Sequence, residues 1–198
     1  MDWTVAEVAA HVTALHRRAI DDFRRSSTPE ETAELNAVCL AEQPERDLSQ
    51  LAPMLISEGR RAHDVLRGLP DDFEFPFHAG SRTTVVPASG VVLAEYLVHG
   101  DDIRRALGAS DLPDPRHARL ATMATLPLLP WWTLPGTPAH VVIRLAGFGD
   151  TISYEFDADT LHAHVDSVAL PGASVVEVDP AQFLLAVPFG RRPVPFGC

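Results

Sequence analysis

The chain has 198 residues, 46% of them hydrophobic, enough for one ordinary core with a small second lobe. A formal charge of −11 with no basic run excludes a surface that tracks phosphates, and no apolar run approaches the ~20 residues that cross a bilayer. The expectation is a cytoplasmic protein without nucleic-acid or membrane partners. Cys39 and the terminal Cys198 form no CxxC motif and are too far apart in sequence to suggest a structural disulfide.

Thr4-x-x-Glu7 has the spacing of a capping box and predicts a helix start, with Trp3 and Val8 bracketing it as a hydrophobic staple. Val8, His11, Val12, Leu15 and Ala19 then follow the stripe of an amphipathic helix, which turns His11 inward and leaves Arg17, Arg18 and Asp21 off it. Residues 26–44 mix caps, acids and prolines, predicting a loop with a short helix around Glu31 to Cys39. A second long helix is predicted from Asp47 to Leu66. Its inner residues are Leu48, Leu51, Leu55, Ala62 and Leu66, its outer ones Arg60, Arg61 and Arg67, and Gly68 and Pro70 stop it.

The stretch FEFPFHAGSRTTVVPAS, 73–89, reads as a short hairpin or extended crossover around Ala79-Gly80. A third long helix runs from near Ser89 to Gly108, a glycine suited to the position after a helix end. At ~100° per residue, Glu95, His99, Asp102 and Ala106 share one arc bordering the core. Tyr96, Ile103 and Leu107 lie beside it, and Asp101, Arg104 and Arg105 take the solvated side. A shorter helix starts at Pro115, and a proline-studded connector covers 131–138. Beyond Ala139 the period changes to two: a β-hairpin about Gly147-Asp150, then a strand, an Asp179-Pro180 helix start and a short helix, making a small α+β lobe.

Glu95-x-x-x-His99 puts a carboxylate and an imidazole one turn apart, where both can reach one cation at ~2.0–2.2 Å. Alone, such a pair is common on solvated helices. His11, inward on another helix, supplies a third ligand, and two imidazoles with one carboxylate suit zinc or a similar divalent metal with one position open. Asp102 is placed to orient His99 or to bond a ligand. His162-x-His164 lacks a nearby acid or thiol and reads as an exposed pair on a strand. Cys39 and Cys198 lack the context of a nucleophile, and there is no GxGxxG, Walker loop or GxSxG.

WTVAEVAAHV (3–12), LAEYLVHGDDIRRALG (93–108) and VDPAQFLLAVPFGRRP (178–193) resemble, in that order, segments of the mycothiol-dependent maleylpyruvate isomerase family. The resemblance implies a mainly α protein: a DinB-like, up-down, metal-binding helical bundle over 1–130, followed by a small, sterol-carrier-like α+β domain over 139–198. It places the metal ligands on His11, Glu95 and His99. It implies that the open metal position activates the thiol of mycothiol, a low-molecular-weight cofactor of high-GC bacteria, whose genomes fit a chain with no lysine. A thiolate so formed would isomerise a cis-enedioate by addition, bond rotation and elimination, or serve an S-transferase. Arg191 matches the arginine near the end of the C-terminal domain, and Arg82 is placed near the pocket. Either guanidinium would hold a substrate carboxylate, and Arg191, Arg82 and Asp102 are the catalytic candidates. The alternative is a non-catalytic small-molecule carrier whose metal site is vestigial or structural.

Family members carry a further helix before the tryptophan, so the bundle is expected to lack its first helix. That would expose parts of Val8, Val12 and Leu15 or of the second helix. Four readings are open: a true start upstream of Met1, cover by the Pro115 helix, cover by a second copy of the chain in a homodimer, or no cover.

Overall fold

The capping box at Thr4 is formed. Thr4 Oγ1 accepts from the Glu7 N–H at 3.3 Å, the Thr4 N–H donates back to Glu7 Oε2 at 2.8 Å, and α1 runs Val5–Ile20. The computed structural model describes residues 3–22, 24–77, 82–109, 111–125, 139–149, 151–156, 161–165, 172 and 174–186. The connector at 131–138 and the turn residues His78, Ala79 and Gly80 lie outside them.

The buried surface of α1 is wider than its apolar stripe. Every residue from Val8 to Ala14 is buried, as are His16 and Arg18, whereas Ala19 is exposed. Arg18 therefore departs from its expected outward place. Its Nη1 donates to Asn36 Oδ1 at 3.1 Å, because α1 is covered on two sides, by α2 and by α3.

Helix α2 (Pro29–Glu42) is longer than the short helix expected. Thr28 caps it, Pro29 opens it with a preset φ, and Glu30 and Glu31 complement its N-terminal dipole. Helix α3 (Leu48–Arg67) starts on Asp47, whose carboxylate accepts from the Ser49 N–H at 2.8 Å, and stops at Gly68. Leu51 and Ala62 are buried and Arg60, Arg61 and Arg67 are exposed, as read from the sequence. Leu48 is exposed instead, since the core begins one turn later, where Leu51 packs on Ala9 and Ala10. Val8 and Val12 are buried too. It is α3 that shows apolar side chains, Leu48, Ile56 and Val65.

Strands β1 (Phe75–Pro76) and β2 (Arg82–Thr83) pair antiparallel, so the hairpin reading holds. Helix α4 (Val85–Ala106) begins before Ser89. Pro87 sits in its first turn, where an N–H would have no partner, and Gly108 comes just after its end at φ +80°. Asp101 overturns its assignment to the solvated side: it is 1% exposed, while Tyr96 and Leu107 are exposed. Asp101 lies seven residues after Ala94, within ~20° of it round the helix, and so extends the buried arc of Ala94 and Val98.

Helix α5 (Pro115–Thr125) begins at Asp114, whose carboxylate accepts from the N–H groups of Arg116 and His117. Strands β3 (Ala139–Leu145), β4 (Thr151–Phe156), β5 (Leu161–Val165) and β6 (Ser174–Val178) form a sheet in the order β5-β4-β3-β6. The first three form an antiparallel meander and β6 joins parallel to β3. Helix α6 (Pro180–Ala186) starts on Asp179, which accepts from the Gln182 N–H at 2.9 Å.

By backbone proximity the chain forms two compact units. One is Met1–Ser89 with His99–Asp111, cored by Ala9, Ala10 and Leu51. The other is Gly90–Val98 with Leu112–Cys198, cored by Ala94, Val98, Ala121, Leu184 and Leu185. Gly90 marks a close approach within the second: a Cβ there would lie 2.3 Å from Ala124 Cβ. Gly90→Ala is therefore expected to destabilise the protein by about 1–3 kcal/mol in urea unfolding, although alanine is the better helix former by about 1 kcal/mol. The described chain is thus mainly helical, with a small β part towards its C-terminal end, and no described helix is long and apolar enough to cross a membrane.

Candidate metal centre

Two helices supply the centre. The stripe of α1 turns His11 inward to 4% exposure, and on α4 His99 is 5% exposed with the half-buried Glu95 one turn before it. One donor atom from each of His11, Glu95 and His99 lies within 4.8 Å of the others. Two ligands of a tetrahedral cation at ~2.0–2.2 Å are ~3.4 Å apart, so side-chain rotations of roughly an ångström bring the set to bonding distance. Two imidazole nitrogens and one carboxylate oxygen are also the right donors for zinc or a similar divalent ion.

The rings around this point are ordered. The His11 and His99 imidazoles stand edge to face, centroids 5.0 Å apart at 76°. His99 Nδ1 lies 3.2 Å from Asp102 Oδ2. A proton on Nδ1 donated to that carboxylate leaves Nε2 as the basic nitrogen, the tautomer a metal ligand needs. The Trp3 indole lies against both rings, 4.7 Å from His11 and 6.4 Å from His99.

The structure does not bring every candidate here. Arg82 is exposed on β2, where its Nε donates to Glu74 Oε2 at 3.1 Å and its Nη2 to the Glu74 carbonyl at 3.3 Å; none of its hydrogen bonds reaches His11, Glu95 or His99. Arg191 and Cys198 lie outside the described residues, and so do the side chains of His162 and His164. Cys39 is a free, buried thiol.

Cys39 does belong to a cluster that the sequence reading missed. Donor atoms of Asp22, Cys39 and Glu42 also lie within 4.8 Å of one another. Here a cation is already present. Arg24 Nε donates to Asp22 Oδ2 at 2.7 Å and Arg24 Nη2 to Glu42 Oε2 at 2.7 Å, and the guanidinium holds both carboxyls below their usual range. Cys39 and Glu42 lie three residues apart on α2, but Asp22 comes from the segment after α1, so no spacing within one helix announces the full set.

His16, given no role from sequence, is buried, and burial depresses its pKa from the usual 6.5 against an opposing pull from Glu58. The unfolded chain therefore takes up the proton first. Its contribution to stability is complete above about pH 6.5 and is lost as pH falls from there through the folded-state pKa. Urea midpoints measured from about pH 7.5 down to about pH 5 are expected to fall, and His16→Gln to flatten that fall.

A family model described as the mycothiol maleylpyruvate isomerase N-terminal domain matches residues 1–104. No curated protein and no solved structure matches the chain. The matched stretch is more than half of the sequence and includes Trp3, His11, Glu95, His99 and Asp102, so the chain belongs to the mycothiol maleylpyruvate isomerase family.

Proposed function

We propose that this protein is a metal-dependent, mycothiol-using isomerase or thiol S-transferase acting on an electrophilic small molecule in the cytoplasm. The observation that carries the reading is the convergence of His11, Glu95 and His99 on one point. These three residues would hold the cation, zinc or a similar divalent ion. When bound, such an ion lowers the pKa of a coordinated thiol and so makes a thiolate available near neutral pH. The ligand charges suit that role: one carboxylate and two neutral imidazoles leave a net charge of +1, which an anionic sulfur cancels.

The other side chains have supporting tasks. Asp102 keeps His99 in one tautomer and one orientation through Nδ1. Burial of both histidines keeps bulk water from their rings. Arg191 is proposed to grip a substrate carboxylate bidentately. Arg82 would first have to leave Glu74. In this reading the helices of 1–130 form a DinB-like bundle and 139–198 a sterol-carrier-like lobe.

The test is metal content by elemental analysis combined with turnover of electrophilic substrates, cis-enedioates included, with and without mycothiol. One equivalent of metal and strictly thiol-dependent turnover are expected. Turnover that needs no added thiol and is lost on replacing Cys39 with serine would overturn the reading. One equivalent of metal with no turnover would favour the carrier.

A further inference from the structure

Trp3 is the one aromatic side chain described against both candidate histidines, yet it offers no ligand atom. Its ring plane is inclined 50° to the His11 ring and 29° to the His99 ring, at centroid distances within the ~4.5–7 Å of favourable aromatic pairs. One indole thus restrains two imidazoles that come from different helices. Trp3 lies outside α1, so no intrahelical hydrogen bond holds its backbone. Its neighbour Thr4 is held firmly: the Thr4 N–H and Oγ1 both donate to Glu7 Oε2, each at 2.8 Å. Glu7 therefore anchors the residue next to the indole, from the first turn of the helix that carries His11 one turn further on.

We propose that Trp3 is a positioning residue for the His11–His99 pair and that the Thr4–Glu7 capping box is the clamp that keeps the indole there. The first turn of α1 then sets divalent-cation affinity at a centre to which it gives no ligand. The inference rests on the metal-binding reading above and deepens it. Removing an outer partner of a metal ligand typically costs ~10–100-fold in affinity, because the ligand must be ordered afresh on binding. An aromatic ring holding two ligands at once belongs in that range.

The experiment is zinc binding to the full chain at neutral pH, by competition with a chromophoric chelator, for wild type, Trp3→Ala, Trp3→Phe, Glu7→Ala and Asp47→Ala. Asp47 is the control, since it caps a different helix, α3, by accepting from the Ser49 N–H. Affinity is expected to fall roughly 10–100-fold in Trp3→Ala and to recover largely in Trp3→Phe. Glu7→Ala is expected to lose several-fold, and Asp47→Ala to bind as wild type. The chain has three tryptophans, so replacing Trp131 and Trp132 with phenylalanine leaves Trp3 as the sole indole, whose emission should change in step with one equivalent of zinc. Wild-type affinity in Trp3→Ala, or equal losses in Glu7→Ala and Asp47→Ala, would overturn the inference alone. No zinc binding by the wild-type chain would overturn it together with the metal-binding reading beneath it.

Discussion

On the metal-dependent reading proposed above, replacing His11 with glutamine is expected to abolish stoichiometric zinc binding, and thiol-dependent turnover with it, while the chain stays folded. Glu95 and His99 sit one turn apart on a single helix, and without His11 they are a two-ligand pair of a kind many helices carry. His11 comes from α1 and closes the set. The loss should exceed the roughly 100-fold that an outer-shell partner can cost, since a bond to the cation itself disappears. Glutamine keeps most of the buried volume and a polar group, so the far-ultraviolet spectrum and the melting temperature of the metal-free protein should change little. Asp102→Asn should be milder, roughly 10–100-fold, because it disturbs only the orientation of His99. Equal zinc affinity in wild type and His11→Gln, measured by the same chelator competition, would remove His11 from the centre.

The second large effect is expected in the core that joins α4, α5 and α6. Leu184 and Leu185 are fully buried against Ala94, Val98 and Ala121. Leu184→Ala should cost about 2–5 kcal/mol, the range for buried leucines whose surroundings collapse only partly. That is a large share of the ~5–15 kcal/mol by which a domain is stable. A harsher version is a fragment ending at residue 130. It would bare Ala94, Val98 and Ala121 and take from the buried Thr122 hydroxyl its acceptor, the Pro180 carbonyl at 3.2 Å. Such a fragment is expected to melt without a cooperative transition. A sharp melt as high as that of the whole chain would show that the helices need nothing from the C-terminal segment.

These two expectations draw on different kinds of information. The inward turn of His11 and the shared arc of Glu95, His99 and Asp102 come from helical spacing, and the three segments that carry the family resemblance can be read along the chain. The buried core of the second unit was not legible in the same way. Ala94, Val98, Ala121 and Leu184 come from three segments, and no periodicity within one segment says which other it will meet.

What the sequence by itself determined is therefore local. Thr4 with Glu7, Asp47 with Gly68, Gly108, and Asp179 with Pro180 mark helix ends because each acts on backbone groups within about four residues. The hairpins of β1–β2 and β3–β4 arise from alternation about a turn. Tertiary structure alone decided what depends on a second segment. Arg18 and Asp101 are buried, against the face each was read on, because covering helices and neighbouring buried turns, and not residue polarity, determine which sides of α1 and α4 water can reach. Strand β6 lies parallel to β3, a pairing that no turn motif specifies because two strands, β4 and β5, come between them in the chain. Arg24 bonds Asp22 locally, two residues away, but finds Glu42 only once α2 has folded back beside α1.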